Sequence, residues 1–534
     1  MEGSFRKEPG VQIKVNVNGK VLDITAKEGS LLIDALRAGN VDISADCADR
    51  GICGSCRVRF LTGAPDATEC DFSIFTEEEL NNGWRLSCKA RLAGPAEIEL
   101  PDIGLNRVLL DDAAGMPGGG TIGKPGFAAD IGTTTVVVYL IDMQSGGAVD
   151  SAGAMNAQRR YGADVASRIH HAMLHGIEPL QSAISRQLGD MIAGLLVKHR
   201  LDPDGKYDIL AVGNTAMAHF LLGYDVSGLG AAPFMPHSLA RAKLDSRKAG
   251  IAAGGELTVM EGVSGYVGSD ILSGAVLCGI AESKGYRLLV DIGTNGEIML
   301  GNSQQLLCCS TAAGPAFEGV SINAGTGGVP GAISRLVITR KGGAFGIRYK
   351  TIGDKPPVGI CGSGVIDAAA QMLQTGIIDR TGRFAEASGA MSGVIRHSEQ
   401  RGYYIELAKD GGKSILFTQS DVREVQLAKS AIASGIRILL DEAGIGFDSI
   451  EQVCLAGGFG NYMDVESAFA IGLLPKELSG RIEPKGNTAG RGAIAALRSA
   501  AFRDKMAAYA QKARYVELSG HKGFQDYFIE NMRF

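Results

Sequence analysis

Two copies of one short pattern constrain this 534-residue chain more than any other feature. Residues 127–142, FAADIGTTTVVVYLID, and 288–301, LLVDIGTNGEIMLG, each run an apolar strand into Asp-Ile-Gly-Thr and leave on a second strand. A repeat of this kind implies two related halves. A glycine-bearing turn offers backbone N–H groups and a Thr hydroxyl to phosphate oxygens, while the Asp at the strand end can hold a hydrated Mg2+. A single Asp-Gly hairpin is usually only a turn, so the weight lies on the pair. A third stretch, VCLAGGFGNYMD at 453–464, is a buried strand running into Gly457-Gly458, where the missing Cβ lets the backbone approach a flat ring closely. The alternative for all these glycines is that they end strands in an α/β sheet.

The N-terminal hundred residues read differently. VQIKVNV at 11–17 alternates as a half-buried strand, NGK supplies a hairpin turn, and VLDITA returns. EGSLLIDALRAG then carries Leu31, Leu32, Ala35 and Leu36 at helical spacing and closes on Gly39. After a cysteine-rich loop come a strand, RVRFLTG, an acidic helix start near TEEEL and a last strand around AEIEL. This is the element order of a small β-grasp ferredoxin. Cys47, Cys53 and Cys56 with Cys88 give Cys-x5-Cys-x2-Cys-x31-Cys, which resembles the plant-type [2Fe–2S] pattern with one extra residue between the first two ligands. Gly51 and Gly54 let backbone amides turn toward the sulfurs. A structural zinc site or unrelated thiols are the alternatives; zinc favours paired Cys-x2-Cys knuckles, and only Cys53 and Cys56 form one. Cys70 lies outside the pattern, and Cys278, Cys308, Cys309, Cys361 and Cys454 sit in apolar segments as small buried side chains.

Composition sets the outer limits. With 53 basic against 58 acidic residues and a net charge of -5, there is no basic surplus for a phosphate backbone or anionic lipid, so neither nucleic acid nor membrane is expected as partner. No signal peptide and no run of about 18 apolar residues is legible, so the chain is expected in the cytoplasm. There, clustered thiols serve metals or redox chemistry rather than disulfides. Residues 101–126 are rich in Gly and Pro in their second half and read as a flexible linker. A coil of about 26 residues spans about 25–30 Å r.m.s.. AAGPAFEGVSINAGTGGVPGAI and GICGSGVIDA read as turns over a cleft or as tight sheet–helix packing, and Glu318, the one carboxylate of the former, is a candidate for metal or water. VGNTAMAHFLLG reads as a helix capped at Asn214 or Thr215, with His219 packing.

The paired hairpins and the late glycine pair resemble the superfamily of acetate and sugar kinases, heat-shock chaperones and actin. That likeness implies a duplicated actin-like (ribonuclease H-like) α/β ATPase. Asp130, Gly132, Thr133 and Thr134 would form the first phosphate motif, Asp291, Gly293, Thr294 and Asn295 the second, and Gly457 and Gly458 the adenosine motif. The chain is then multidomain α/β: ferredoxin domain 1–100, linker 101–126, ATPase halves 127–280 and 281–534.

One chain joining a one-electron carrier to an ATPase resembles the reductive activators of corrinoid proteins, a likeness that includes GPAFEG, GICGSG and LAGGFG. It implies ATP-dependent return of Co(II) to Co(I) on a corrinoid-binding methyltransferase protein, with a [2Fe–2S] cluster and Mg-ATP as cofactors. A low-potential donor (ferredoxin, flavodoxin or reductase) is implied upstream, and a homodimer stands as an open expectation. Some relatives place a further small domain where only the linker stands here. The rival readings are a small-molecule kinase with a sensing or structural cluster and a non-catalytic redox sensor.

Overall fold

A computed structural model describes residues 10–17, 20–39, 41, 43, 45, 47–100, 122–342, 344–399, 401–410, 413–457 and 463–534. The expected turn at residues 18–19, most of the expected linker and Gly458 lie outside them.

The N-terminal segment follows its hydrophobic periods. β1 (Gly10–Val17) and β2 (Lys20–Lys27) pair antiparallel, and the alternation in β1 buries Val11, Ile13 and Val15. α1 (Leu32–Ala38) buries Leu32, Ile33 and Leu36 and ends at Gly39. β3 (Arg57–Thr62) is followed by α2 (Glu69–Ile74) and α3 (Glu77–Asn81). Both helices open on capping boxes, from Thr68 and Thr76, and such a cap contributes about 1 kcal/mol. β4 (Trp84–Leu86) and β5 (Ala96–Glu99) complete a five-stranded sheet in the order β2-β1-β5-β3-β4, with β1 and β5 parallel. This is the β-grasp arrangement. These elements form one compact unit together with Met155–Gln187 and His219–Phe234, a partnership the sequence reading did not anticipate.

The second unit holds the repeat. β6 (Pro125–Ile131) starts two residues inside the stretch expected as linker; it is followed by β7 (Thr135–Asp142), β8 (Ala148–Met155), and then α4 (Val165–His175) and α5 (Glu178–Lys198), of which α4 and the part of α5 up to Gln187 belong to the first unit. Next come β9 (Lys206–Gly213), α6 (Thr215–Leu222), β10 (Ala242–Asp245), β11 (Gly254–Val259) and α7 (Ser269–Leu277). The later half runs through β12 (Tyr286–Ile292), β13 (Gly296–Gly301), β14 (Leu306–Thr311), β15 (Ala332–Lys341), β16 (Ala344–Thr351), β17 (Gly359–Ile360) and α8 (Gly362–Thr375). It continues with β18 (Ile395–Ser398), β19 (Gly402–Asp410), β20 (Lys413–Thr418), α9 (Gln419–Ala443), β21 (Ile450–Ala456) and α10 (Val465–Ala470). β22 (Ile482–Gly486), α11 (Thr488–Arg498), α12 (Ala500–Lys512), β23 (Arg514–Tyr515) and α13 (Phe524–Glu530) close it.

The duplication is visible in strand order. β10-β11-β9-β6-β7-β8 and β22-β21-β12-β13-β14-β23 share the run of two parallel neighbours, a central strand and its antiparallel hairpin. α7 and α11 pack against each other with side chains of both sheets in the same core, among them Ala128, Val137, Leu289, Met299 and Ala493. Their close approach depends on glycine: a Cβ on Gly274 would lie 2.6 Å from Thr488 Oγ1, and one on Gly492 would lie 2.4 Å from Ser273 Oγ. This packing brings the first turn of α7 and the N-cap of α11 toward the strand ends that carry the hairpins.

Candidate functional site

The thiol loop is shaped by left-handed backbone. Ala48, Asp49, Gly51 and Gly54 all have positive φ, at 49°, 65°, 81° and 76°; for the non-glycine pair this costs about 1–2 kcal/mol each. Gly51 is also sterically required, because a Cβ there would stand 2.5 Å from Lys89 Cε and 2.9 Å from Cys70 Sγ. The curl turns the N–H groups of Gly51, Ile52 and Cys53 onto the sulfur of Cys47. The amide–sulfur contacts expected from the glycines are therefore present at Cys47.

The four cysteines fall into two pairs. Cys56 Sγ lies 3.2 Å from Cys88 Sγ, and Cys53 hydrogen-bonds to Cys47. The bond from Cys53 pulls the Cys47 thiol down to about 5 despite its burial, and the same bond with burial pushes Cys53 up. Cys56 is likewise lowered by its bond to Cys88, and Cys88 raised. In each pair one thiol is hydrogen-bonded to the other, and a metal replaces thiol protons when thiolates ligate it. Two pairs with amides aimed at a sulfur suit two irons carrying two thiolates each. Among the described residues no three His, Cys, Asp or Glu side chains converge as a single-ion site. Cys47, Cys56 and Cys88 are buried while Cys53 is exposed beside Ile52, itself 61 % exposed.

The support of this loop comes from residues the sequence reading passed over. Buried Asp71, on α2, accepts hydrogen bonds from Thr68 N at 2.8 Å and Leu86 N at 2.8 Å, fixing the strand that leads to Cys88. Cys70, on the same helix, packs against the loop at Gly51. Arg37, on α1, forks onto Asp49 of the loop at 2.7 and 3.0 Å, donates to the carbonyl of Arg160 and lies 5.1 Å from the ring centre of Tyr161.

The second site lies where the paired hairpins turn, at the carboxyl ends of parallel strands, the usual place for ligands in such sheets. Gly132 N bonds Thr135 O at 2.9 Å and Gly293 N bonds Asn295 O at 3.0 Å, closing two turns, the first one residue wider than the second. Thr133 Oγ1 accepts from Asn214 Nδ2 at 2.8 Å, and Asn214 Oδ1 also caps α6 through Met217 N. The tips meet: Thr134 Oγ1 and Thr294 Oγ1 are 3.0 Å apart, and both donate to Glu318 Oε2, Thr294 at 2.8 Å. Gly457 ends β21 at φ +108, where a Cβ would stand 2.4 Å from Ile292 O and 3.2 Å from Asp291 Oδ1.

Four carboxylates gather behind the tips. Burial raises Asp130 to about 6, against a lowering bond from Asn487 Nδ2 at 2.9 Å. Burial raises Asp270 to about 7, with Asp130 adding to it, and Asp291 to about 7, with Asp270, Asp130 and Glu318 adding. Burial, then the charges of Asp270 and Asp291, push Glu297 well above the ordinary range. Each is only half-buried by surface. Such crowding keeps protons on the carboxyls until positive charge arrives, although the four do not converge on one point as a set of ligands. Asp130, Thr133, Thr134, Asp291, Gly293, Thr294 and Gly457 are thus gathered in one unit, while Asn295 is turned to Glu297. Asp270, Glu297, Asn214 and Asn487 are additions; the signals for them were a carboxylate inside an apolar strand and asparagines at helix starts.

Three family models match successive parts of the chain. A family model for the 2Fe-2S iron-sulfur cluster binding domain matches residues 15–93, the RACo middle region matches 125–283, and the C-terminal domain of RACo, the ASKHA domain, matches 285–534. "Corrinoid activation enzyme RamQ" of Eubacterium limosum is 35 % identical over 421 residues, covering 77 % of this chain and 70 % of the relative. "[Co(II) methylated amine-specific corrinoid protein] reductase" of Methanosarcina barkeri is 27 % identical over 238 residues, 41 % of this chain and 40 % of that one. A solved structure titled "Reductive activator for corrinoid,iron-sulfur protein" superposes at TM-score 0.72 with 28 % identity over 98 % of both chains. A cysteine loop, two matched hairpins and near-complete coverage together show that the chain belongs to the family of reductive activators of corrinoid proteins.

Proposed function

We propose that this chain delivers one electron from a [2Fe–2S] cluster held by Cys47, Cys53, Cys56 and Cys88 to a corrinoid-binding methyltransferase protein, converting Co(II) to Co(I), with Mg-ATP bound at the paired hairpins. The observation that carries it is the coexistence in one chain of paired thiols under directed amides and two phosphate-type turns meeting at their tips. An electron carrier alone has no use for the turns, and a kinase has none for the thiols.

Bound at the four thiols, the cluster supplies a one-electron couple. The chain's own residues do the rest. The amides of Gly51, Ile52 and Cys53 stabilise negative charge at Cys47. Exposed Cys53 and Ile52 form the edge at which a partner can approach the sulfurs. Asp130 and Asp291 would hold the hydrated cation of the nucleotide, and the hydroxyls of Thr133, Thr134 and Thr294 would hold its phosphates. Gly457 and Gly458 are the residues assigned to the adenosine.

Energetics gives the nucleotide its purpose. Plant-type clusters sit near about -400 mV, and each 100 mV of shortfall costs about 2.3 kcal/mol per electron. The corrinoid couple is expected to lie lower, so transfer is unfavourable at rest. A coupling between sites of about 1–3 kcal/mol covers about 40–130 mV. ATP then acts as a gate and release switch, with no phosphate passed to substrate. The electron enters from a low-potential ferredoxin, flavodoxin or reductase, and reduced thiols fit a cytoplasmic setting. Among the described residues no helix is long and apolar enough to cross a membrane.

The test is Co(I) absorbance under anaerobic conditions with the full-length protein, a Co(II) corrinoid protein and a low-potential reductant. Co(I) should form with ATP and fail without it. Equal formation without ATP, or appearance of the γ-phosphate on a small molecule, would remove this reading.

A further inference from the structure

Glu318 holds the two hairpin tips together from inside the chain. It ends a single helical turn, Pro315–Glu318, that opens on Gly314 at φ +75 and closes on Gly319 at φ +79. Its Oε2 accepts from Thr134 Oγ1 and Thr294 Oγ1, residues from turns 160 positions apart, and its Oε1 lies 3.3 Å from where a Cβ on Gly293 would stand. The hydroxyls that the two turns offer to an anion are therefore already answered by one. On the second hairpin Asp291 is the residue whose side chain meets Gly457, and Thr294 lies three residues further along.

The mounting of this turn accounts for two glycine-rich stretches that had no assigned role. A Cβ on Gly362, at the start of α8, would stand 1.9 Å from the carbonyl oxygen of Phe317. One on Gly325 would stand 2.0 Å from the carbonyl oxygen of Gly319. GICGSG and INAGTGG thus lie in backbone contact with the Glu318 turn, so a displacement of that turn's backbone is felt at the start of α8.

We propose that Glu318 is an internal anion occupying the place of the terminal phosphate in the nucleotide-free chain, so that ATP has to displace it and ADP does not. This deepens the reading of the hairpins as a phosphate site and rests on it. Two anions cannot share one set of donors, and the carboxylate's lost hydrogen bonds are returned when the threonines pair with phosphate. The displacement is what ties occupancy by ATP, as distinct from ADP, to the position of α8: a ligand shifts an equilibrium only by its differential affinity for the two states.

The experiment is calorimetric titration of the full-length, cluster-bearing protein with Mg-AMP-PNP, which is not hydrolysed, and with Mg-ADP. Glu318→Gln keeps the shape and removes the charge. It should bind Mg-AMP-PNP about tenfold more tightly, the size of one charge-assisted hydrogen bond, with Mg-ADP nearly unchanged. The nucleotide-free variant should melt below the wild type, and the two AMP-PNP complexes should melt together. Glu318→Asp, which keeps the charge but withdraws it from the tips, should tighten Mg-AMP-PNP in the same direction and serves if the glutamine variant does not fold. An unchanged affinity, an equal change for both nucleotides, or weaker Mg-AMP-PNP binding would overturn the proposal while leaving the phosphate site standing. A wild-type protein that binds neither nucleotide would overturn the phosphate-site reading and this proposal with it.

Discussion

Replacing Asp291 by asparagine should stabilise the nucleotide-free protein at high pH. Burial, with the charges of Asp270, Asp130 and Glu318, raises this carboxyl from an ordinary 3.8 to about 7. Below about pH 4 it is neutral whether the chain is folded or not, and the crowding costs nothing. Between about 4 and about 7 the unfolded chain ionises while the folded one keeps its proton, so stability falls as pH rises, and above about 7 the loss is complete. Taken at face value the displacement is worth about 4 kcal/mol; with part of the group facing water, about 1–2 kcal/mol is the working figure. In a unit of this size that corresponds to about 1–3 °C. Thermal melts of the full-length protein without nucleotide should therefore show the wild type losing stability from pH 5 to pH 8, and Asp291→Asn losing less and melting higher at pH 8. Added Mg2+ at pH 8 should raise the wild type more than the variant, because the ion replaces the missing protons. A variant with the wild-type pH slope, or one that melts lower at pH 8, would show that the carboxylates are not in the crowded state described.

Other outcomes follow from single contacts. Cys88→Ala should abolish stable iron and sulfide binding while Cys70→Ala retains both; equal iron loss would mean the ligand set is misassigned. Gly457→Ala should weaken Mg-nucleotide binding at least about tenfold, since its methyl would meet Ile292 O at 2.4 Å and the φ of +108 alone costs about 1–2 kcal/mol; unchanged titration calorimetry would sink the adenosine-side assignment. Asp130→Ala should suppress Mg2+-dependent ATP hydrolysis and leave the visible spectrum of the cluster intact, and hydrolysis at the wild-type rate would remove that aspartate from the mechanism. Asn487→Ala removes both the N-cap of α11 and the bond that lowers Asp130, so it should cost about 1 kcal/mol in melting and push the acid limb of the ATPase pH profile upward. An unmoved limb would refute the link.

Legibility tracked sequence separation. The thiol loop and each hairpin are local: a period of two, a turn glycine and a fixed spacing name them, and the strands, α1 and the helices carrying TEEEL and KSAIASGIRILLDEAG fall where periodicity puts them. What escaped depends on residues meeting from afar. Asp270 and Asn487 reach the hairpins only because α7 and α11 pack at Gly274 and Gly492. Glu318 could be singled out as a lone carboxylate among glycines, but its partners, Thr134 and Thr294, could not. Thr68 and Asp71, which the sequence reading did not single out, are a helix cap that braces β4. Nothing local foretold that residues 155–187 would share a unit with the N-terminal sheet.

The grip of Arg37 on Asp49, Arg160 and Tyr161 turns the cluster loop into contested ground. Any redox partner that needs the surface covered by Arg160 and Tyr161 competes with a segment of the same molecule, present at a concentration no free protein matches. If the contact favours the covered form by about 1.4 kcal/mol, only about one molecule in ten is receptive at a given moment, and the partner's apparent affinity is about tenfold below its intrinsic one. For such a partner, waiting time rather than potential sets how often an electron passes.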